Sequence, residues 1–403
     1  MTTHRREVLL HTAVRRSAAT AAAVILSVLG LSTGAQAAPP EADVLAVPGA
    51  EVVEDSYIVV LKQGRTARAV AAGHEATVLH TYTRAFNGFA ATMTSRTARQ
   101  VAADPDVAFV QPNVIHRISD TQNNPPSWGL DRIDQRNRPV NAAYTYSTTA
   151  SNVHAYVIDT GIRTTHQDFG GRATSGFDAV DGGTADDCNG HGTHVAGTVG
   201  GTSYGVAKGV RLVAVRVLNC EGSGTTAQVA AGIEWVTANA VKPAVANMSL
   251  GGSADTVLDN AVSASINSGV SYAIAAGNGF LGLFALDACT QSPARVPAAI
   301  TVSATNSSDA KPSWANRGTC VDVFAPGISI PSTWNTNDTA TNTISGTSMA
   351  APHVAGAAAL YLAGHPSDTP AQVHAAIVGN ATTGVVTSPG TGSPNRLLYT
   401  AAF

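Results

Sequence analysis

Hydrophobic residues fall along this chain in two kinds of run. From residue 153 onward, short stretches are apolar almost throughout: 153–158, 210–218, 245–250, 270–276, 299–304 and 320–324. A strand with one face in water alternates apolar and polar residues. A strand covered on both faces does not, as in a parallel sheet clothed by helices. Between these runs lie longer stretches of helical character, 192–200, 225–240, 255–268, 349–362 and 370–378. The alternation predicts an α/β fold, a mostly parallel sheet with helices on both faces. Upstream, 57–61, 88–93 and 107–110 read as strands, and 66–75 and 95–103 as helices. That order predicts a separate small α+β unit. The polar stretch 119–127, with Pro125-Pro126, reads as the linker between the two.

The first 38 residues follow neither pattern. Arg5, Arg6, Arg15 and Arg16 precede an apolar run over 18–31, and Ala35-Gln36-Ala37 follows it. This is the order of a secretory signal peptide, and a run of about 14 residues is short of the ~20 that span a bilayer. Arg15-Arg16 leaves the export route open between the general and twin-arginine pathways. The expected organisation is a signal peptide over 1–38, a small unit over 39–120 and a large domain over 121–403. The product is expected to be extracellular, free of the membrane after processing, and monomeric. Four cysteines, Cys188, Cys220, Cys289 and Cys320, suit an oxidising compartment. They allow three pairings, of which the sequence-local one joins Cys188 to Cys220 and Cys289 to Cys320. No C-x-x-C spacing suggests structural zinc. Charged residues make up 13% of the chain and the formal net charge is −3, with no basic stripe. Nucleic acid is therefore not an expected partner.

In open α/β sheets, chemistry gathers at the carboxyl ends of the strands, and three strings fall there. In Val157-Ile158-Asp159-Thr160-Gly161 an apolar strand ends in a carboxylate, followed by a glycine that permits a sharp turn. Taken alone, such an Asp is most often a turn or cap residue. In Asn189-Gly190-His191-Gly192-Thr193-His194-Val195-Ala196-Gly197, glycines flank a histidine. His191 and His194 lack the Glu and the four-residue spacing of a zinc peptidase, so His194 reads as a satisfied, partly buried histidine. Ile344-Ser345-Gly346-Thr347-Ser348-Met349-Ala350-Ala351-Pro352-His353 sets a serine at the start of a long apolar helix. Pro352 is expected near that start, where a missing N–H costs least. Ser348 by itself could be an N-cap. Together the three strings supply a nucleophile, a base and a carboxylate that orients the base.

On these strings the chain resembles the subtilisin-like serine peptidases. Within them it is most similar to the proteinase K branch and its aqualysin-like members. Asn247-Met248-Ser249-Leu250-Gly251-Gly252, Ala275-Ala276-Gly277-Asn278 and residues 320–327 extend the match. The order Asp159, His191, Ser348 is the one known for subtilisin. Residues 39–120 resemble more loosely, through 55–62 and 86–91, the inhibitory and folding-assisting propeptide of the same family. The resemblance implies a serine endopeptidase of broad specificity, made as a zymogen and autoprocessed near residue 120. Proteins and peptides would be its substrates and its own propeptide a transient inhibitor. Asp159, His191 and Ser348 would be catalytic, and Asn278 would donate to the oxyanion beside the Ser348 N–H. Ser249, Leu250 and Gly251 would pair with substrate backbone. Ala275, Ala276 and Gly277 would line a primary pocket without an acidic residue, suited to aromatic or aliphatic side chains.

No cofactor for catalysis is implied. Structural calcium is, at Asp322 with the carbonyls of Pro297 and Ala299, and at Asp131, Asp134 and Gln135, all hard oxygen donors. The local disulfide pairing fits the resemblance. Two departures stand out. Val195 replaces a cysteine that some relatives carry. After Asn278 the chain reads Gly279-Phe280-Leu281-Gly282-Leu283-Phe284-Ala285-Leu286-Asp287-Ala288, where relatives have a shorter, polar segment. The insert is expected either to enlarge an apolar subsite or to disturb Asn278. The second outcome would leave a catalytically weak or inactive secreted protein of this fold that acts by binding.

Overall fold

The computed structural model describes residues 39–47, 52–114, 120–280 and 282–403. The expected signal peptide lies outside the described residues. The chain forms two compact units, one centred on residues 59–110 and one that takes in 111–403.

The first unit carries a four-stranded sheet of β1 (Val52–Leu61), β2 (Thr77–Tyr82), β3 (Gly88–Thr92) and β4 (Val107–Val114), in the order β2-β3-β1-β4. Its helices are α1 (Ala67–Ala72) and α2 (Ser95–Ala102). Each starts at a threonine, Thr66 or Thr94, whose hydroxyl accepts a backbone N–H of the first turn. Val59, Phe89, Val101 of α2 and Val110 are wholly buried. The sequence pattern misses β2. Five of its six residues are exposed, so no apolar face marks it, although Thr77, Val78, Thr81 and Tyr82 favour strands.

The second unit opens with β5 (Asp120–Asn123), α3 (Trp128–Ile133) and β6 (Ala143–Tyr146). β5 pairs antiparallel with β6, so part of the stretch read as a linker is strand. Its polar side chains hide it, because a ladder can be satisfied by the partner's backbone alone. The chain continues through β7 (His154–Asp159), β8 (Ala173–Asp178), α4 (His191–Gly200), β9 (Arg211–Arg216), α5 (Thr226–Asn239), β10 (Ala244–Met248), β11 (Gly252–Ser253) and α6 (Thr256–Asn267). Then come β12 (Ser271–Ala275), β13 (Gln291–Ser292), β14 (Ile300–Thr305), β15 (Val323–Pro326), β16 (Ile330–Thr333), β17 (Thr341–Ile344), α7 (Thr347–Gly364), α8 (Pro370–Asn380), β18 (Thr382–Thr383) and β19 (Arg396–Leu397). Nine of these strands make one sheet, β18-β19-β15-β14-β12-β10-β7-β9-β8, parallel except at the β18 edge.

Side chains along β7 alternate between two cores. Ala155 and Val157 join the face where α4 and α7 pack, while Tyr156 and Ile158 join the face of α5 and α6. Burial on both faces is why the central strands read as unbroken apolar runs. β8, absent from the sequence reading, is an edge strand with an irregular register at Ser175 and Phe177. α7 is buried along almost its whole length, as an all-round apolar helix must be. The disulfides are Cys188–Cys220 and Cys289–Cys320, the sequence-local pairing. Among the described residues no helix is long and apolar enough to cross a membrane.

Candidate active site

β7 ends in Asp159, which has no exposed surface. Its Oδ1 accepts the Thr160 N–H at 2.7 Å and faces His191 Nδ1, also at 2.7 Å. A carboxylate at Nδ1 holds the proton there and leaves Nε2 as the acceptor. His191 is the first residue of α4, with a quarter of its side chain exposed. Burial pushes its pKa down. The Asp159 charge and hydrogen bond, with Asp187 further off, outweigh burial and raise it above the ordinary histidine value.

Asp187 fixes this loop, and the sequence reading passed over it. Its Oδ1 accepts from the Thr160 hydroxyl and from the Asn189 and Gly190 N–H groups at 2.8–2.9 Å. Its Oδ2 accepts from the N–H and hydroxyl of Thr193 at 2.9 and 2.6 Å. One carboxylate thereby holds the strand end, the turn and the first turn of α4 in register. An Asp two residues before Asn-Gly is a recognisable turn signal and could have been found. Gly190 is required: its φ is +110°, and a Cβ there would meet the Trp334 ring at 2.5 Å. His194 is fully buried, with Nε2 at 3.0 Å from the Ile330 carbonyl, and burial pushes its pKa down to about 4. It is therefore neutral, and more deeply buried than expected.

Ser348 is the second residue of α7. Pro352 lies inside this helix rather than at its start. Its missing N–H is the one that would have bonded the Ser348 carbonyl four residues back. That carbonyl instead accepts from Ser249 Oγ at 2.7 Å, and Ser348 Oγ donates back to the Ser249 carbonyl at 3.1 Å rather than to His191. Asn247 Nδ2 donates to the same Ser249 hydroxyl at 2.8 Å. The residue expected to pair with substrate thus also seats the nucleophile. Ser249, Leu250 and Gly251 follow β10 as an irregular segment, not a strand. With Gly252 they separate two hollows of about 740 and 270 Å³, the first lined by His191 and the second by Ser348. The far wall of the larger hollow, Gly222, Ser223 and Gly224, carried no sequence signal beyond its glycines.

Ala275, Ala276, Gly277 and Asn278 line the smaller hollow. Asn278 Oδ1 accepts both the N–H and the hydroxyl of Thr347 at 2.9 Å, which turns its NH₂ the other way. An atom at the Cβ position of Gly346 would lie 3.4 Å from Asn278 Nδ2 and 3.5 Å from Ser348 N. The two nitrogens therefore lie close to one point. The insert after Asn278 leaves these anchors in place. It forms a hairpin in which the Phe280 N–H donates to the Phe284 carbonyl at 2.9 Å and the Leu283 N–H to the Phe280 carbonyl at 3.0 Å.

The residues expected to hold calcium lie outside this cleft. Asp322 Oδ2 accepts the Thr301 N–H at 2.8 Å, and Oδ1 faces His374 Nε2 at 3.5 Å. Asp131 accepts from Gln135 Nε2 and from the N–H groups of Asn141 and Ala142. Asp134 Oδ2 accepts the Thr145 N–H, while Oδ1 is buried without a partner. Among the described residues no three His, Cys, Asp or Glu side chains gather as a metal site.

Comparison with known proteins settles the family. Residues 151–397 match the subtilase family. The chain belongs to the subtilases. Residues 56–119 match the peptidase inhibitor I9 family, so this subtilase carries a propeptide-type inhibitor domain ahead of its peptidase domain. It is 51% identical to an extracellular serine proteinase of a Thermus species, over 90% of this chain and 94% of that one. It is also 51% identical to the alkaline serine exoprotease A of Vibrio alginolyticus, over 79% of this chain and 59% of that one. The crystal structure of a cold-adapted subtilisin-like serine proteinase superposes with a TM-score of 0.65 at 54% identity, covering 68% of this subtilase and 97% of that chain. The subtilase is thus a serine proteinase that needs no cofactor for catalysis.

Proposed function

We propose that the chain is a secreted serine endopeptidase that hydrolyses peptide bonds in proteins with broad specificity. Asp159, His191 and Ser348 are its triad and Asn278 its oxyanion donor. The observation that carries this reading is the Asp159–His191 contact at 2.7 Å, together with Ser348, whose backbone nitrogen and Asn278 Nδ2 lie close to one point. Ser348 Oγ swings from the Ser249 carbonyl to His191 Nε2 and attacks the scissile carbonyl. The Oγ–C bond forms as the Oγ proton passes to Nε2, and Asp159 stabilises the resulting imidazolium. The carbonyl oxygen takes up the negative charge facing Asn278 Nδ2 and the Ser348 N–H. Collapse expels the amine, which takes the proton from Nε2. Water, deprotonated by His191, then releases the acyl group and restores Ser348.

The same reading places a signal peptide over 1–38, a propeptide over 39–120 and the catalytic domain over 121–403, with autoprocessing near residue 120. A relative named as an extracellular serine proteinase supports export. A pocket of about 270 Å³ without an acidic lining residue supports apolar primary specificity. Of the two calcium sets, Asp131, Asp134 and Gln135 is the one we propose. Burial, and then Asp131, raise the Asp134 pKa to about 6, and a bound cation would give its unpartnered oxygen a ligand. Calcium at the first set should raise the unfolding temperature relative to chelator, and Asp134→Asn should abolish that difference. Casein hydrolysis by the matured wild type, absent in Ser348→Ala, tests the activity itself. A folded, processed wild type that clears no casein contradicts it.

A further inference from the structure

Large apolar side chains scattered singly over a surface need no explanation, whereas a cluster of them does. Phe280, Leu283 and Phe284 are 60%, 60% and 69% exposed, and they are the tip of one hairpin. Among the described residues of 120–403, the other exposed large aliphatics are single valines, Val140, Val241 and Val257. The turn itself is well made, with Gly282 supplying the left-handed residue at φ +68°. Nothing within the hairpin requires its tip to be apolar.

Both feet of the hairpin stand on the wall of the smaller hollow. One is Gly279, which lines the hollow directly behind Asn278. The other is Leu286, whose N–H donates to Asn316 Oδ1 at 2.8 Å. Asn316 also lines the hollow, is 1% exposed, and donates through Nδ2 to the Ala276 carbonyl at 2.7 Å. Ala285 N–H is tied to the Ser313 carbonyl at 3.2 Å, and two residues beyond Asp287 the Cys289–Cys320 disulfide anchors the chain. The base is tied down by these bonds, and the side chains of Phe280, Leu283 and Phe284 are exposed. The hollow beside it is walled by Ala275, Ala276, Gly277 and Ala294. These small residues leave room for a large side chain, and Leu250 and Gln291 complete the wall.

We infer that Phe280, Leu283 and Phe284 form an apolar rim that extends the primary pocket outward and selects substrates with a large apolar side chain on the acyl side of the scissile bond. The inference rests on the proposed reading of this hollow as the primary pocket. The occupant follows from continuity: Gly279, a lining residue of the hollow, is also the residue at which the hairpin begins.

The test expresses the full chain as wild type, as the triple variant F280S/L283S/F284S, and as F280L/F284L, which keeps the tip apolar. Each is assayed on matched peptide anilides differing only in the residue before the cut, Phe, Leu or Ala, with active sites counted by fluorophosphonate titration. For Phe and Leu the triple variant should lose about tenfold in kcat/KM, ~1.4 kcal/mol, chiefly through KM. With Ala the loss should shrink to about twofold, and F280L/F284L should recover most of it. An equal loss on all three peptides, or none on any, overturns the inference while leaving the peptidase reading intact. So does unchanged peptide kinetics with weaker adsorption to an apolar solid, which would make the tip a surface anchor. A wild type that neither titrates nor cleaves contradicts the peptidase reading and takes the inference with it.

Discussion

The loop from Asp187 to Thr193 and the hairpin after Asn278 both border the cleft, and they are built by opposite means. In the loop, polar side chains hold the backbone: Asp187 alone accepts from Thr160, Asn189, Gly190 and Thr193. In the hairpin, backbone bonds and one disulfide hold the feet, and the side chains of Phe280, Leu283 and Phe284 are exposed. The difference follows from what each must do. A base must be held to a fraction of an ångström and to one tautomer, which needs directional bonds. A rim that grips apolar side chains needs area, which tolerates freedom.

The first way to break the comparison is at its polar end. Asp159→Asn should lower kcat about 10⁴-fold, since the imidazole loses its tautomer control. Asp159 also raises the His191 pKa. Catalysis needs neutral His191, so activity is lost as pH falls through that raised pKa. Without Asp159 the acid limb of the kcat/KM profile should move to lower pH, and a limb that stays put would contradict the pairing. Next, Asn278→Ala should cost about 10²–10³ in kcat with KM little changed, the size known for the equivalent donor in subtilisin. An equal rise in KM would mean that Asn278 binds the ground state instead.

Smaller effects sharpen the contrast. Ser249→Ala removes the donor that replaces the missing Pro352 N–H and leaves the Ser348 carbonyl without a partner. It should cost about 1–3 kcal/mol of stability, read as a lower urea midpoint. The triple hairpin variant should lie at the other extreme, with stability within about 0.5 kcal/mol of wild type, as expected of surface positions. A larger loss would show that the tip packs on the fold and is not a free rim.

Where the sequence was legible, burial made it so. Strands β7, β10 and β12 are covered on both faces and read as apolar runs, and α7 reads as a helix because it is apolar all round. The strings around Asp159, His191 and Ser348 were readable because each joins a chemically specific side chain to glycines that permit close approach. β2, β5 and β8 were missed because edge strands are satisfied through backbone bonds and carry no apolar face. Asp187 was legible as a turn aspartate before Asn-Gly, but its tie to Thr160 was not, because that partner lies 27 residues away in sequence. The placement of Pro352 could not be foreseen, since its cost is offset by Ser249, about a hundred residues away in sequence.

The most direct test of the account is labelling of the matured protein with a fluorophosphonate, followed by mass spectrometry of the modified peptide. The account predicts a single adduct on Ser348, absent in Ser348→Ala and strongly slowed in Asp159→Asn. A folded, processed wild type that takes no label, or takes it on another serine, would contradict the assignment of Asp159, His191 and Ser348 as a working triad.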